Sequence, residues 1–209
     1  MNAQTERLEL AGPAGRIQVL RDQPAGTPRG TAVIAHPHPL FGGTMDNKVV
    51  QTLARAFVQC GWTAVRFNFR GVGTSEGAHD NGEGETLDLQ HVLGELAPQG
   101  EVALAGFSFG AYVTARALQS VWGERDVRAV VLVGTAAARF QVPELPAESH
   151  DRTLVIHGEV DDTVPLAAAL DWARPQSLPV TVVPGVEHFF HGQLPLLKNL
   201  VVRHLRAQG

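Results

Sequence analysis

Short, strongly apolar runs recur along the chain, separated by longer amphipathic stretches. The runs fall at 16–20, 31–35, 63–69, 102–105, 129–133, 154–156 and 180–183. Several are apolar at nearly every position and rich in Val, Ile and Phe. That is the pattern of strands buried on both faces of a parallel sheet rather than of half-exposed antiparallel strands. Between them the apolar period lengthens to that of a helix. Segment 47–59 places Val50, Leu53, Ala54, Phe57 and Val58 on one stripe. Segment 83–96 carries Leu87, Leu89, Val92, Leu93 and Leu96 behind an acidic start, as a helix N-terminus favours. Further helices are predicted at 110–121, at 166–173 behind Pro165, and at 196–205.

Strand–helix alternation of this kind predicts an α/β fold, a mostly parallel sheet flanked by helices, in one domain over residues 1–209. No helix separates 8–10, 16–20 and 31–35, so the first one or two strands are expected to be antiparallel. In such sheets ligands bind where the strands end at their carboxyl edge, so the chemistry is sought just after the apolar runs.

Composition narrows the classes of function. Hydrophobic residues make up 44% and charged residues 18% of the 209, with a net charge of −4. Basic residues are scattered, which argues against nucleic acid as a partner. The longest apolar stretch, from Ala129 to Ala138, is too short to cross a bilayer, and the N-terminus lacks the layout of a signal peptide, so a cytoplasmic location is expected. The single cysteine, Cys60, reads as a small apolar core residue.

Gly106-Phe107-Ser108-Phe109-Gly110 stands between an apolar run and an Ala-rich helix. A G-x-S-x-G segment in that context makes a sharp strand-to-helix turn with the serine at its tip, and the glycines let strand and helix approach closely. A serine hydroxyl at neutral pH needs a base, and the base needs an orienting acid. The acid is sought after run 154–156, where Asp161 and Asp162 are adjacent. Asp161 is preferred because Asp-x-x-Val-Pro keeps it in the loop, with Asp162 as a turn carboxylate. The base is sought after run 180–183, where His188 and His191 compete. His188 is preferred, with Phe189 and Phe190 beside it to exclude water, and His191 as a pocket-lining or supporting residue. His157 reads as a structural turn residue, and His79, His91, His150 and His204 as surface or loop positions.

Developing negative charge on a carbonyl oxygen needs backbone N–H donors. Phe109 N–H is one candidate. The loop His36-Pro-His-Pro-Leu-Phe-Gly-Gly offers His38 or Leu40 as the other, because Pro37 and Pro39 have no N–H. The pair His36-x-His38 lacks companions at familiar ligand spacing, so no metal is expected. The glycine-rich stretch from Arg70 to Gly77 does not match a nucleotide cradle and reads as a flexible loop beside the site, with Arg70 as its anchor or in a salt bridge.

Together these segments resemble the α/β-hydrolase superfamily over nearly the whole chain. More narrowly, residues 36–48 and Arg66-Phe-Asn-Phe-Arg-Gly-Val-Gly-x-Ser75 are similar to small bacterial hydrolases related to dienelactone hydrolases. The resemblance implies a serine triad, no cofactor, and small-molecule acyl esters or thioesters as substrates. Dienelactone hydrolases use a cysteine where Ser108 stands, which favours esterase chemistry over lactone specialisation. The stretch 134–152, where many relatives insert a cap, is short, so an open site without a sizeable lid is expected. The same residues would also serve a peptidase or amidase, and a non-catalytic binding protein of this fold is the remaining alternative.

Overall fold

The computed structural model describes residues 5–209. Eight strands form one sheet in the order β1-β2-β4-β3-β5-β6-β7-β8. They are β1 (Glu6–Gly12), β2 (Gly15–Asp22), β3 (Gly30–Ala35), β4 (Trp62–Phe67), β5 (Glu101–Phe107), β6 (Asp126–Val133), β7 (Thr153–Gly158) and β8 (Val180–Val183). The helices are α1 (Lys48–Gln59), α2 (Glu83–Leu96), α3 (Phe109–Val121), α4 (Leu166–Ala173) and α5 (Leu194–Ala207).

β1 and β2 form an antiparallel hairpin, and β2 runs antiparallel to β4. From β3 to β8 every pairing is parallel. β3, although it follows β2 without a helix, does not pair with it. The crossover β3–α1–β4 brings β4 back between them, and β3 becomes part of the parallel body.

The continuous apolar runs are explained by burial on two faces. In β5, Val102 and Leu104 belong to the core beneath α2 and α3, while Ala103, Ala105 and Phe107 face the core formed with α1 and α5. β6 splits the same way, with Val130 and Leu132 on one side and Val131 and Val133 on the other.

Local chemistry sets the element ends. Asn47 caps α1, its side-chain oxygen accepting the Val49 N–H at 2.9 Å. Run 63–69 ends as a strand at Phe67 because Asn68 turns inward: its Oδ1 accepts from Met45 N–H and its Nδ2 donates to Gln18. Pro195 in the first turn lets α5 begin two residues before the expected start. Two 3-10 turns, Pro39–Phe41 and Ala147–Arg152, were not anticipated from the pattern.

The parallel strands end almost level. Ala35 pairs with Gly106, Phe107 with Val133, and Val133 with Ile156. The loops after β3, β5, β6, β7 and β8 therefore leave the sheet at one edge. Between β6 and β7 lie only a loop and a 3-10 turn, so no cap domain covers that edge.

Candidate active site

Ser108 sits between β5 and α3 with φ 56° and ψ −115°, a backbone conformation that a residue with a Cβ rarely adopts. Its N–H donates to the Val133 carbonyl at 2.8 Å, tying the turn to β6. The flanking glycines are required by contact. A Cβ on Gly106 would overlap the Gly110 carbonyl, and one on Gly110 would overlap the Ala35 carbonyl.

The loop after β8 brings His188 to this serine. His188 Nε2 lies 3.0 Å from Ser108 Oγ, and His188 Nδ1 lies 2.6 Å from Asp161 Oδ2. A carboxylate can only accept, so Nδ1 carries the proton and Nε2 is left to accept from the hydroxyl. The ring is buried between Phe107, at 4.8 Å, and Phe189, at 5.0 Å. The expected second shield, Phe190, packs instead into the core around α5, because its backbone at φ 56° turns it the other way. Phe107, the residue before the serine, takes that place.

Asp161 is held from three directions. Its Oδ1 accepts the N–H groups of Thr163 at 3.0 Å and Val164 at 2.7 Å, and its Oδ2 receives His188. Burial pushes its carboxyl up, but the bonds from His188 and Val164, with the nearby imidazoles, outweigh this and hold it below the usual aspartate value. Asp162 is exposed and, among the described residues, meets the Thr163 hydroxyl at 3.3 Å and no imidazole.

His191 does not line the cavity at Ser108, but its ring stands 5.9 Å from that of Phe189, which does. It lies exposed with Nδ1 3.1 Å from Glu187, because the Phe190 turn points it outward. His157 is fully buried at the end of β7, its Nε2 2.9 Å from the Val164 carbonyl and 3.4 Å from Asp161. It is structural, but it belongs to β7 rather than to a turn, and it contacts the acid loop. His204 lies half-buried within α5, meeting the Arg152 carbonyl, rather than on the surface. His79 is also mostly covered. Its ring stands 4.7 Å from that of His38, and its Nδ1 is 2.8 Å from the buried carboxylate of Glu85.

The loop after β3 is built around two histidines with different tasks. His36 is completely buried. Its Nδ1 donates to the Pro37 carbonyl at 2.6 Å, and its Nε2 accepts the Phe69 N–H at 3.0 Å, so both nitrogens are spent on backbone. Burial pushes its pKa down to about 3, the Pro37 bond opposing only in part. His38 faces the cavity, its ring 4.9 Å from that of Phe109, and its Nδ1 accepts the Leu40 N–H at 3.2 Å. Leu40 N–H is thereby engaged. Among the described residues no acceptor meets the N–H of His38 or of Phe109. Nor do the described residues hold a cluster of three metal-ligating side chains.

The glycine-rich segment is not loose. Arg70 binds Asp88 of α2 through its own N–H, Nε and a terminal nitrogen, at 3.0, 3.0 and 2.8 Å. Glu76 accepts the Arg16 N–H at 2.7 Å. The loop is pinned at both ends, and Arg70 is its anchor.

A cavity of about 330 Å³ opens above Ser108. Its walls come from the loops after β3, β5, β6, β7 and β8, and Phe41, Phe109, Phe140 and Phe189 make it largely apolar. Two of its residues, Phe140 and Arg139 in the loop after β6, carry no pattern that marks them in the sequence.

A family model for the alpha/beta hydrolase fold matches residues 38–152, more than half of the chain. The chain belongs to the α/β-hydrolase family. The chain is similar to a Xanthomonas campestris α/β serine hydrolase without a lid, at 36% identity and a TM-score of 0.87, covering 99% of this chain and 96% of that one. It is also similar to an α/β serine hydrolase homologue from Coxiella burnetii, at 39% identity and a TM-score of 0.81, covering 96% and 97%. A Rickettsia prowazekii protein described as uncharacterized is 42% identical over 106 residues, which are 49% of this chain. The match spans only 44% of that relative's length. No helix of the described residues is long and apolar enough to cross a membrane.

Proposed function

We propose that the chain is a serine hydrolase that cleaves small or medium carboxylic esters or thioesters through an acyl-enzyme. The reading is carried by one observation: the line from Ser108 Oγ through His188 to Asp161, with bonds of 3.0 and 2.6 Å, at the floor of an open apolar cavity.

In this reading Ser108 Oγ attacks the acyl carbon as its proton passes to His188 Nε2. Asp161 stabilises the imidazolium and holds the ring in the required tautomer. The carbonyl oxygen gains negative charge and meets the N–H groups of Phe109 and His38, which have no acceptor among the described residues. Leu40 drops out of that role, since its N–H is taken by His38 Nδ1. The C–O or C–S bond then breaks, and His188 returns the proton to the leaving alkoxide or thiolate. A water molecule, deprotonated by His188, then adds to the acyl carbon; the bond to Ser108 Oγ breaks as His188 returns the proton to that oxygen, and the acid leaves. The cavity volume lies at the small end of ligand sites, which span about 300–1,000 Å³, and supports short or medium acyl groups.

The test pairs a fluorophosphonate probe with a substrate series. The probe is expected to label Ser108 and to leave Ser108→Ala unlabelled. p-Nitrophenyl esters of graded chain length, run beside acyl-CoA and matched anilides, are expected to show turnover of esters or thioesters well above anilides. A folded protein that takes no label and turns over none of them overturns the proposal.

A further inference from the structure

The cavity is apolar and lidless, yet one permanent cation stands at its wall. Arg139, in the loop after β6, lines the cavity together with Ser108 and His188. Its guanidinium carbon lies over the Phe41 ring, 5.1 Å from the centroid. Among the described residues it forms no ion pair, whereas the arginines of the surrounding body such as Arg66, Arg70 and Arg116 each meet a carboxylate. No Asp or Glu lines the cavity. Two carboxylates bonded to neighbours of the cavity are already committed: Asp161 to His188 and two backbone N–H groups, Glu85 to His79 and to the N–H groups of Asp80 and Gly82.

An arginine is always charged and offers a fork of donors matched to carboxylate or phosphate oxygens. Resting on Phe41 limits how many conformations the side chain must give up on binding, and the aromatic face favours the cation there. Phe41 is itself exposed, at 71%, so apolar surface and cation sit together at the mouth. From these observations we propose that this site prefers esters or thioesters that carry an anionic group on an apolar stem, with Arg139 as the residue that recognises the anion. The inference rests on the hydrolase reading above. The anion could belong to the acyl part, as in a monoester of a dicarboxylic acid, or to the leaving group, as in a phosphorylated thiol.

Two matched substrate pairs separate these sources. p-Nitrophenyl glutarate monoester against p-nitrophenyl hexanoate places the charge on the acyl side. Butyryl-CoA against butyryl-N-acetylcysteamine places it on the leaving side. For each pair the readout is the ratio of kcat/KM for the anionic to the neutral member. In at least one pair this ratio is expected to fall about three- to tenfold in Arg139→Gln, as for a partly exposed charge-assisted contact, and further in Arg139→Glu. The wild-type ratio in that pair should also fall as salt is raised. The salt series needs no variant, so it stands even if a variant folds poorly. Ratios that ignore both substitution and salt in both pairs overturn the inference and leave the hydrolase reading intact. Absence of turnover on all four substrates, with Ser108 unlabelled, removes the hydrolase reading and the inference with it.

Discussion

His157 donates from Nε2 to the carbonyl oxygen of Val164 at 2.9 Å, so the second imidazole beside Asp161 is spent on holding the acid loop closed. A carbonyl can only accept, which fixes the proton on Nε2 and leaves Nδ1 bare and buried. Burial lowers the pKa of this ring below the ordinary histidine value, the Val164 bond opposing in part, and it stays neutral. Val164 N–H in turn donates to Asp161 Oδ1, so β7, the loop and the carboxylate form one bonded unit.

His157→Ala is expected to cost about 2–4 kcal/mol of stability, since it opens a cavity and strands a buried carbonyl. It should also lower kcat/KM for esters by about tenfold through loss of Asp161 alignment. Urea unfolding and ester kinetics measure the two effects. A loss of stability with kcat/KM unchanged would show that the ring only fills space.

The two adjacent aspartates should separate sharply. Asp161→Asn is expected to lower kcat by about 10³–10⁴, because an amide can donate to Nδ1 and impose the wrong tautomer. Asp162→Asn, at an exposed position with one 3.3 Å contact, should stay within about twofold. Steady-state kinetics on one p-nitrophenyl ester decides between them, and equal losses would reassign the acid.

Acid should weaken the fold through His36. Its folded pKa of about 3 lies below the unfolded value of 6.5, so as pH falls the unfolded chain takes up the proton first. The contribution is complete above pH 6.5, erodes at up to about 1.4 kcal/mol per pH unit below it, and levels off only near pH 3. His157 and His204, also lowered by burial, add slope of the same sign, and Asp161 joins only below the aspartate range. Urea midpoints at several pH values between 7 and about 4 should therefore fall less steeply in His36→Gln than in the wild type. Parallel slopes would mean that the buried ring is not a source of the acid sensitivity.

Two glycines predict opposite outcomes for one change. Gly110→Ala should yield little folded protein, because its Cβ would overlap the Ala35 backbone where β3 passes under the serine turn. Gly94→Ala, within α2 and with nothing near its Cβ, should stabilise by about 0.5–1 kcal/mol. Thermal unfolding of both variants is the check. A destabilised Gly94→Ala would show that α2 needs flexibility there.

Much of the fold and part of the site could be read from local pattern. Continuous apolar runs identify strands that must be covered on both sides, and the helix at 83–96 is bounded as expected because its acidic first turn and apolar stripe are local properties. The Gly106–Gly110 turn is legible for the same reason: the need for two glycines arises within a few residues of chain. The outcome was different where a residue's partner lies far along the sequence. For His36 the local pattern assigned no task, and its role as a buried strut between Pro37 and Phe69 comes only with the fold. Phe190 was expected beside His188, and its left-handed backbone turns it into the core, while His191 lies exposed behind Phe189.

The order of side chains along this protein, a serine turn and then an acid loop and a histidine loop each behind a buried strand, was determined by sequence alone, since periodicity and turn chemistry act over a few neighbouring residues. Tertiary structure decided which N–H groups remain free among the described residues, which ring shields His188, and that Arg139 stands over Phe41 at the cavity mouth with no ion pair among them. Those outcomes depend on how level the strands end and on which loops then meet. That is a matter of packing between segments far apart in the chain, 80 residues for Ser108 and His188, and no local pattern encodes it.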